Sequence, residues 1–219
     1  MLELLSPAGS PEAVIAAVQN GADAIYLGVG DFNARRGAKN FTEEEFEKAV
    51  RYCRIRGCKT YLTLNTLVND RETEQAVNTA RLASRCGADG IIIQDLGLIE
   101  LLRRTVPDIP LHASTQMTIH NLAGVQAAAE MGLTRAVLAR ELSLEQIKYI
   151  CKNSPIEIEV LFTALCASVT PDSATCPRLS AGAAETAVCA RSRAACSILS
   201  AAGWTIILSR SRTTALSMS

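Results

Sequence analysis

The chain has 219 residues, of which 48% are hydrophobic and 20% are charged. That proportion is enough to fill the core of one medium or large domain, so an intrinsically disordered chain is excluded. Lys and Arg number 22 and Asp and Glu number 22, which leaves no surplus positive charge for coating a polyanion. We therefore expect no DNA partner, although a local basic site is compatible with this balance.

No apolar run reaches the roughly 18 to 20 residues of a membrane span, and the N-terminus lacks the layout of a secretory signal. We expect a cytoplasmic protein without a membrane partner. Four of the eight cysteines are scattered, and four crowd the last quarter of the chain: Cys166, Cys176, Cys189 and Cys196. In a cytosolic chain such a cluster favours metal binding or redox chemistry over disulfide bonds.

The composition changes near residue 160. Residues 1–160 carry 20 acidic and 17 basic side chains. Residues 161–219 carry two acids, five arginines and no lysine, and Ala, Ser or Thr fills 30 of 59 positions without a sustained helical or strand period. We predict one folded domain over 1–160 and a poorly ordered, aberrant tail over 161–219. Two explanations of the tail stay open, a low-complexity linker and translation in a shifted reading frame.

Strand and helix patterns alternate through residues 1–160. Helix starts are indicated by cap residues, with capping boxes at Thr42 and Ser143. Apolar runs predict strands at 2–5, 24–27, 59–66, 90–93, 111–113, 135–139 and 157–161. The helices between them are predicted after Ser10, after Thr42, after Asn69 or Asp70, at 96–105 behind Asp95, at 119–131, and after Ser143.

Seven strands and six helices, at roughly 23 residues per unit, are compatible with two architectures, an open doubly wound sheet and a closed eight-stranded barrel. The Gly-rich dinucleotide loop is absent after strand one, and Gly28-Val29-Gly30 lacks a third glycine. The phrase Gly-Ala-Asp, repeated at 21–23 and 87–89 before buried strands, favours the barrel. We predict an α/β fold, a (β/α)8 TIM-barrel-like domain that is incomplete, with about seven βα strands. If a segment such as 204–208 replaces strand eight, we expect unpaired edges on strands one and seven.

Polar side chains follow the predicted strands. In a barrel, the C-terminal ends of the strands converge on the active site, so these residues are predicted to bind substrate. Three of them, Ser6, Asn65 and Ser114, are equally suited to capping the next turn. Arg140 and Glu141 form an ion pair or, alternatively, Arg140 holds a carboxylate or phosphate. The candidate binding residues are Ser6, Tyr26, Asn65, Thr66, Ser114, Gln116, Arg140 and Glu141.

A catalytic apparatus is not evident in the sequence. A nucleophilic hydrolase needs a base beside Ser or Cys, and only His112 and His120 are available, each also explicable as a structural histidine. Motifs of zinc proteases, serine hydrolases and P-loop proteins are missing. Arg35, Arg36 and Lys39 indicate either a solvated loop or an anion site. Catalytic residues and the oligomeric state are therefore left unassigned.

Six ordered strings of residues together resemble the U32 peptidase family of collagenase-like proteins. They lie at 5–9, 21–28, 38–41, 64–66, 112–116 and 138–143, so the resemblance covers residues 1–160. It implies a barrel with cysteines after the seventh strand. Members are named as collagenase-like proteases or support hydroxylation of tRNA bases, rRNA bases or quinone precursors. The partner is then a protein or an RNA substrate, and a substrate-binding barrel without chemistry is a third reading.

The resemblance also implies an iron-sulfur cluster in intact relatives, which needs about four thiolates. After Glu159 and Val160 the family continues Val-His-Gly-Ala-Leu-Cys, whereas this chain reads Leu-Phe-Thr-Ala-Leu-Cys and ends that string at Cys166. Loss of one base near codon 161 produces this change. We therefore expect no cofactor in this chain, carry over only Cys166 as a candidate metal ligand, and expect an inactive, truncated product.

Overall fold

A computed structural model describes residues 2–30, 32–33, 40–162 and 204–208. The strands are β1 (Leu2–Pro7), β2 (Ala24–Leu27), β3 (Lys59–Leu64), β4 (Gly90–Ile93), β5 (Leu111–Ala113), β6 (Arg135–Val137), β7 (Glu157–Phe162) and β8 (Trp204–Leu208). The helices are α1 (Pro11–Gln19), α2 (Glu43–Ile55), α3 (Thr73–Cys86), α4 (Leu96–Thr105), α5 (Leu122–Glu130) and α6 (Leu144–Asn153), with a 3₁₀ helix at Thr115–Met117. None of the helices in these ranges combines the length and apolarity of a membrane span.

Strands β1 to β7 pair in chain order and in parallel, each joined to the next by a crossover that contains a helix or, after β2, a loop and α2. This arrangement confirms the predicted barrel-like α/β fold. Parallel strands need such long crossovers, and the crossover helices cover the outer face of the sheet.

Strand β8 closes the sheet between β7 and β1 and runs antiparallel to both. The prediction that β1 and β7 keep unpaired edges is therefore wrong. The segment Trp204–Leu208 is rich in aromatic and β-branched residues, which favour extended pairing. Its direction differs from that of the eighth strand in a regular (β/α)8 barrel, where all strands are parallel.

The repeated Gly-Ala-Asp phrase has the same structural role twice. Gly21 and Gly87 adopt left-handed backbone conformations, with φ of 88° and 74°, where the preceding helices end. The Asp23 carboxylate then accepts a hydrogen bond from the Leu4 amide at 2.9 Å, and Asp89 accepts one from Thr60 at 2.8 Å. Each aspartate thus ties the start of its own strand to the preceding neighbour in the sheet.

The apolar core has two unequal parts. The larger lies between the strands and the surrounding helices, and the smaller fills the barrel interior with Leu5, Ala24, Tyr61 and Ile92. The smaller cluster draws on β1 to β4, whereas β5, β6 and β7 place the polar or charged side chains of His112, Arg135 and Glu159 inside the barrel.

Three predicted helix starts are confirmed by their caps. Thr42 and Ser143 form capping boxes with Glu45 and Gln146, and Ser10 caps α1. Such caps fix where each helix begins, and therefore how each loop leaves the end of its strand.

Two other predicted helix starts are wrong. Helix α3 begins at Thr73, because the Asn69 side chain accepts hydrogen bonds from Arg71 and Glu72 and holds a turn instead of capping a helix. Helix α5 begins at Leu122 behind its cap Asn121. The predicted start at 119 falls after a 3₁₀ turn that ends at Thr118.

Asp95 caps α4 as predicted, and we expect Asp95→Ala to lower the free energy of unfolding by about 1–2 kcal/mol. Its carboxylate accepts hydrogen bonds from Leu98 at 2.8 Å and from Val68, in the loop after β3, at 3.2 Å. Urea denaturation measures the loss. Lys148→Ala, on the exposed face of α6, is the control and should stay within about 0.5 kcal/mol. Equal values for the two variants would refute this role of Asp95.

Candidate functional site

A cavity of about 230 Å³ lies at the C-terminal ends of the barrel strands. Five of the eight predicted binding residues line it: Tyr26, Asn65, Ser114, Gln116 and Arg140. They come from β2, from the loops after β3 and β6, and from the turn after β5. The convergence of strand ends expected for a barrel therefore occurs here.

The other three predicted residues lie outside the cavity lining. Ser6 is buried and its hydroxyl is 3.4 Å from the Pro7 carbonyl. The Thr66 hydroxyl is buried without a hydrogen-bond partner among the described residues, and Glu141 is exposed. The alternative of an Arg140–Glu141 ion pair is not met within the part of the chain that the structure describes.

Ser114 has both of the roles that its position suggested. It lines the cavity, and its hydroxyl accepts a hydrogen bond from the Gln116 amide at 3.3 Å to start the 3₁₀ helix. The cap turns the chain sharply after β5 and brings the Gln116 side chain to the cavity edge.

One wall of the cavity is formed by Asn33 and Asn40 in the loop after β2, which the sequence analysis did not name as site residues. The Asn33 amide donates to the Asn40 side-chain oxygen at 2.9 Å, and Asn40 donates to the Gly30 carbonyl at 2.6 Å. A side chain at position 28 would not fit, because a Cβ atom there would lie 2.5 Å from the Asn33 side-chain nitrogen. Gly28 is thus needed for close packing of this wall.

Glu159 lies at the cavity wall inside the barrel and was also missed by the sequence analysis. Its residue surface is only 3% exposed, and its Oε2 atom has no hydrogen-bond partner among the described residues. The nearest cation is Arg135, whose Nη1 is 3.8 Å from that oxygen, too far for a hydrogen bond. The sequence does contain a signal for this residue, because Glu157 and Glu159 are separated by one apolar residue in a strand that is otherwise apolar.

Beneath Glu159, a charged network fills the N-terminal half of the barrel. Arg135 donates from Nε and Nη2 to Glu157 at 2.9 and 2.7 Å, and its Nη1 lies 3.5 Å from Glu3. Glu3 in turn accepts hydrogen bonds from the Tyr61 hydroxyl at 2.7 Å and from Lys59 at 2.5 Å. Burial raises the pKa of Glu3, but these hydrogen bonds outweigh it and hold that pKa below its ordinary value.

Neither histidine lines the cavity. His112 is buried inside the barrel, with its ring centroid 5.0 Å from that of Tyr61. Burial, assisted by the charge of Arg135, lowers its pKa well below 6.5 and keeps the ring neutral. His120 is exposed in the segment before α5. No histidine is therefore placed beside Ser114 as a base.

Glu159 is poised to hold a proton near neutral pH. Burial raises the pKa of its carboxyl group to about 7, although the nearby Arg135 charge lowers it. Glu3 and Glu157 add like charge and raise it further. The group can therefore donate as well as accept a hydrogen bond around pH 7.

Glu159→Gln is expected to change the pH dependence of stability. A carboxyl pKa raised by folding from 4.5 to about 7 contributes stability that is complete below pH 4.5 and is lost as the pH rises through about 7. The wild type should therefore lose on the order of 3 kcal/mol relative to the non-titrating variant across that window. Urea denaturation at successive pH values measures the difference, and parallel profiles would contradict the assignment.

Metal-ligating groups do not gather in the described part of the chain, where no set of three or more His, Cys, Asp or Glu side chains could hold an ion. The described cysteines, Cys53, Cys58, Cys86 and Cys151, are all free thiols. The candidate ligand Cys166 and the candidate anion-binding loop at 34–39 lie outside the described residues.

Comparison with known proteins finds several relatives that are similar to this chain. A 23S rRNA 5-hydroxycytidine C2501 synthase of Escherichia coli is 39% identical over 75% of this chain and 25% of its own length. The tRNA hydroxylation protein P1 of Bacillus subtilis is 37% identical over 72% of the chain and 37% of its own. A collagenase of Porphyromonas gingivalis is 32% identical over 77% and 43%. The chain thus spans about a quarter to two fifths of these relatives.

The fold has matching neighbours among solved structures. The U32 peptidase Mk0906 superimposes with a TM-score of 0.58 at 18% identity, covering 70% of this chain and 66% of its own. The model of peptidase family U32 matches residues 9–192, so the similarity continues past residue 160, where the resemblance read from the sequence stopped. A match over so much of the sequence shows that the chain belongs to peptidase family U32.

Proposed function

We propose that this barrel is the substrate-binding part of a protein that hydroxylates RNA bases. The main support is the cavity itself, whose described lining presents hydroxyl, amide and carboxyl groups at the strand ends and contains neither a cysteine nor a histidine. The names of the relatives point the same way: those named for RNA hydroxylation are 34–39% identical to the chain, and the collagenase is 32% identical.

A proteolytic function fits the cavity less well. Nucleophilic hydrolysis needs a Ser or Cys within hydrogen-bond reach of a base. Ser114 is the cavity hydroxyl nearest to this role, but it accepts the amide hydrogen bond of Gln116, and neither His112 nor His120 lines the cavity. The described cysteines are absent from the lining as well.

The cavity is also small for a polypeptide substrate. Pockets for drug-sized molecules span about 300–1,000 Å³, and this one encloses about 230 Å³. Enzymes that modify a base in folded RNA take that base out of its stack and hold it in a tight pocket. A single ring inserted among Tyr26, Asn65 and Gln116 suits these dimensions and the hydrogen-bonding groups.

The iron-sulfur cluster that the family implies has no ligand set among the described residues. We propose further that the tail after residue 160 is read in a shifted frame and that the chain as given is inactive, although the family match extends to residue 192. The nucleotide sequence around codons 160–162 tests this. An unbroken reading frame in related strains would refute the shift.

Deletion of the intact family gene in a related strain, followed by mass spectrometry of nucleosides from total RNA, tests the proposed function. We expect one hydroxylated pyrimidine to disappear and to return when an intact family gene is supplied. Complementation with this chain alone should not restore it if the tail is out of frame. An unchanged nucleoside profile contradicts RNA hydroxylation, and collagen degradation by the purified intact protein would favour the protease.

A further inference from the structure

We propose that Glu159 recognises the ring held in the cavity, by pairing its carboxyl group with the hydrogen-bonding edge of a pyrimidine base. This inference rests on the proposed function and adds the group that reads the base. The geometry of the barrel interior supports it in three steps.

Glu159 has hydrogen-bonding capacity that the described residues do not use. The residue is 3% exposed and lines the cavity, yet its Oε2 atom has no hydrogen-bond partner in the described parts of the chain. Leaving a buried polar atom unpaired is costly, so native structures rarely do so without a functional reason. Nη1 of Arg135 lies 3.8 Å from that oxygen and also has no hydrogen-bond partner among the described residues, so a ligand that binds the carboxyl group competes with this ion pair.

The second step is the rigid position of the residue. Glu159 lies within β7, where its neighbours across the sheet are Val137 of β6 and Ile207 of β8. Its carbonyl also accepts a hydrogen bond from the Leu138 amide at 2.9 Å. A binding group on a paired strand holds its geometry better than one on a loop.

The third step is the charge around the carboxyl group. Arg135 is the nearest cation, but its Nε and Nη2 atoms are engaged by Glu157. Arg135 attracts the charged form of Glu159, and Glu3 and Glu157 repel it. Lys59, Tyr61 and His112 belong to the same interior network, and Arg140 lines the cavity. Because one guanidinium is shared among three carboxyl groups, Glu159 is the one left to hold a proton.

A neutral carboxyl group has a donor and an acceptor side by side. It therefore pairs with N3–H and O4 of uracil, or with N3 and the N4 amino group of cytosine. The ionised form only accepts hydrogen bonds and is repelled by O4 of uracil. Uridine binding should consequently weaken as Glu159 loses its proton.

Calorimetric titration of the full chain with uridine, cytidine and adenosine tests the proposal, since these nucleosides carry no phosphate that titrates. We expect wild-type affinity for uridine to fall about tenfold between about pH 6 and pH 8, following the neutral fraction of the carboxyl group. Glu159→Gln keeps a donor and an acceptor and should bind with little pH dependence. Glu159→Leu should lose at least about tenfold in affinity at pH 6.

Glu100→Gln, on the exposed face of α4, is the matched control and should behave like the wild type. Circular dichroism and urea denaturation verify that each variant is folded. The proposal is overturned if the folded wild type binds no pyrimidine nucleoside, if Glu159→Leu binds uridine like the wild type, or if Glu159→Gln keeps the wild-type pH dependence. Adenosine binding of equal strength would overturn the selectivity for pyrimidines.

The two proposals fail in distinguishable ways. Glu159-dependent uridine binding with an unchanged RNA profile in the deletion strain would overturn RNA hydroxylation and keep the binding role. Loss of the modified base together with unchanged binding by Glu159→Leu would overturn the role of Glu159 alone.

Discussion

Replacing Arg135 with alanine is expected to lower the free energy of unfolding by about 3–5 kcal/mol. The guanidinium is only 3% exposed and lies within 3.8 Å of carboxylate oxygens from Glu3, Glu157 and Glu159. Without Arg135, Glu3 keeps Lys59 as a partner, but Glu157 and the buried Glu159 lose the cation that the described residues place beside them. Urea denaturation near pH 7 measures the loss.

Arg104→Ala provides the matched control for this prediction. Arg104 pairs with Glu100 one helical turn away, but both side chains are more than half exposed. Exposed ion pairs contribute about 0–1 kcal/mol, so this variant should stay close to the wild type. If the Arg135 variant loses as little as the Arg104 variant, the interior network is not what stabilises the barrel.

Phe46→Ala is expected to cost a further large amount, about 3–5 kcal/mol. The ring is fully buried on the inner face of α2, between that helix and the sheet, so truncation removes its packing and leaves a cavity. Ile55→Ala, at the exposed end of the same helix, is the control and should change stability by about 0.5 kcal/mol or less. Thermal or urea unfolding compares the two, and a small loss for Phe46→Ala would show that α2 is loosely packed.

Local signals in the sequence predicted much of the fold. The capping boxes at Thr42 and Ser143, and the glycines at 21 and 87, act within a few residues of where they stand, so their effects could be read without the rest of the chain. The pairing of β8 could not be predicted in this way, because no local feature of residues 204–208 indicates that the strand runs antiparallel between β1 and β7.

The candidate site was predicted only in part. Strand-end residues such as Tyr26 and Asn65 follow from barrel topology, which brings the C-terminal ends of the parallel strands to the same face. Glu159 was missed because charged residues in a buried strand are satisfied by partners distant in sequence. Its neighbour Arg135 is 24 positions away, and the parallel pairing of β6 with β7 brings the two together.

The most direct test of this account is the RNA of cells whose intact family gene carries a change at the codon equivalent to Glu159. We expect Glu159→Leu to abolish the hydroxylated pyrimidine in nucleoside mass spectra and Glu159→Gln to retain most of it. Full modification in folded, expressed Glu159→Leu protein would contradict the claim that this cavity binds the base.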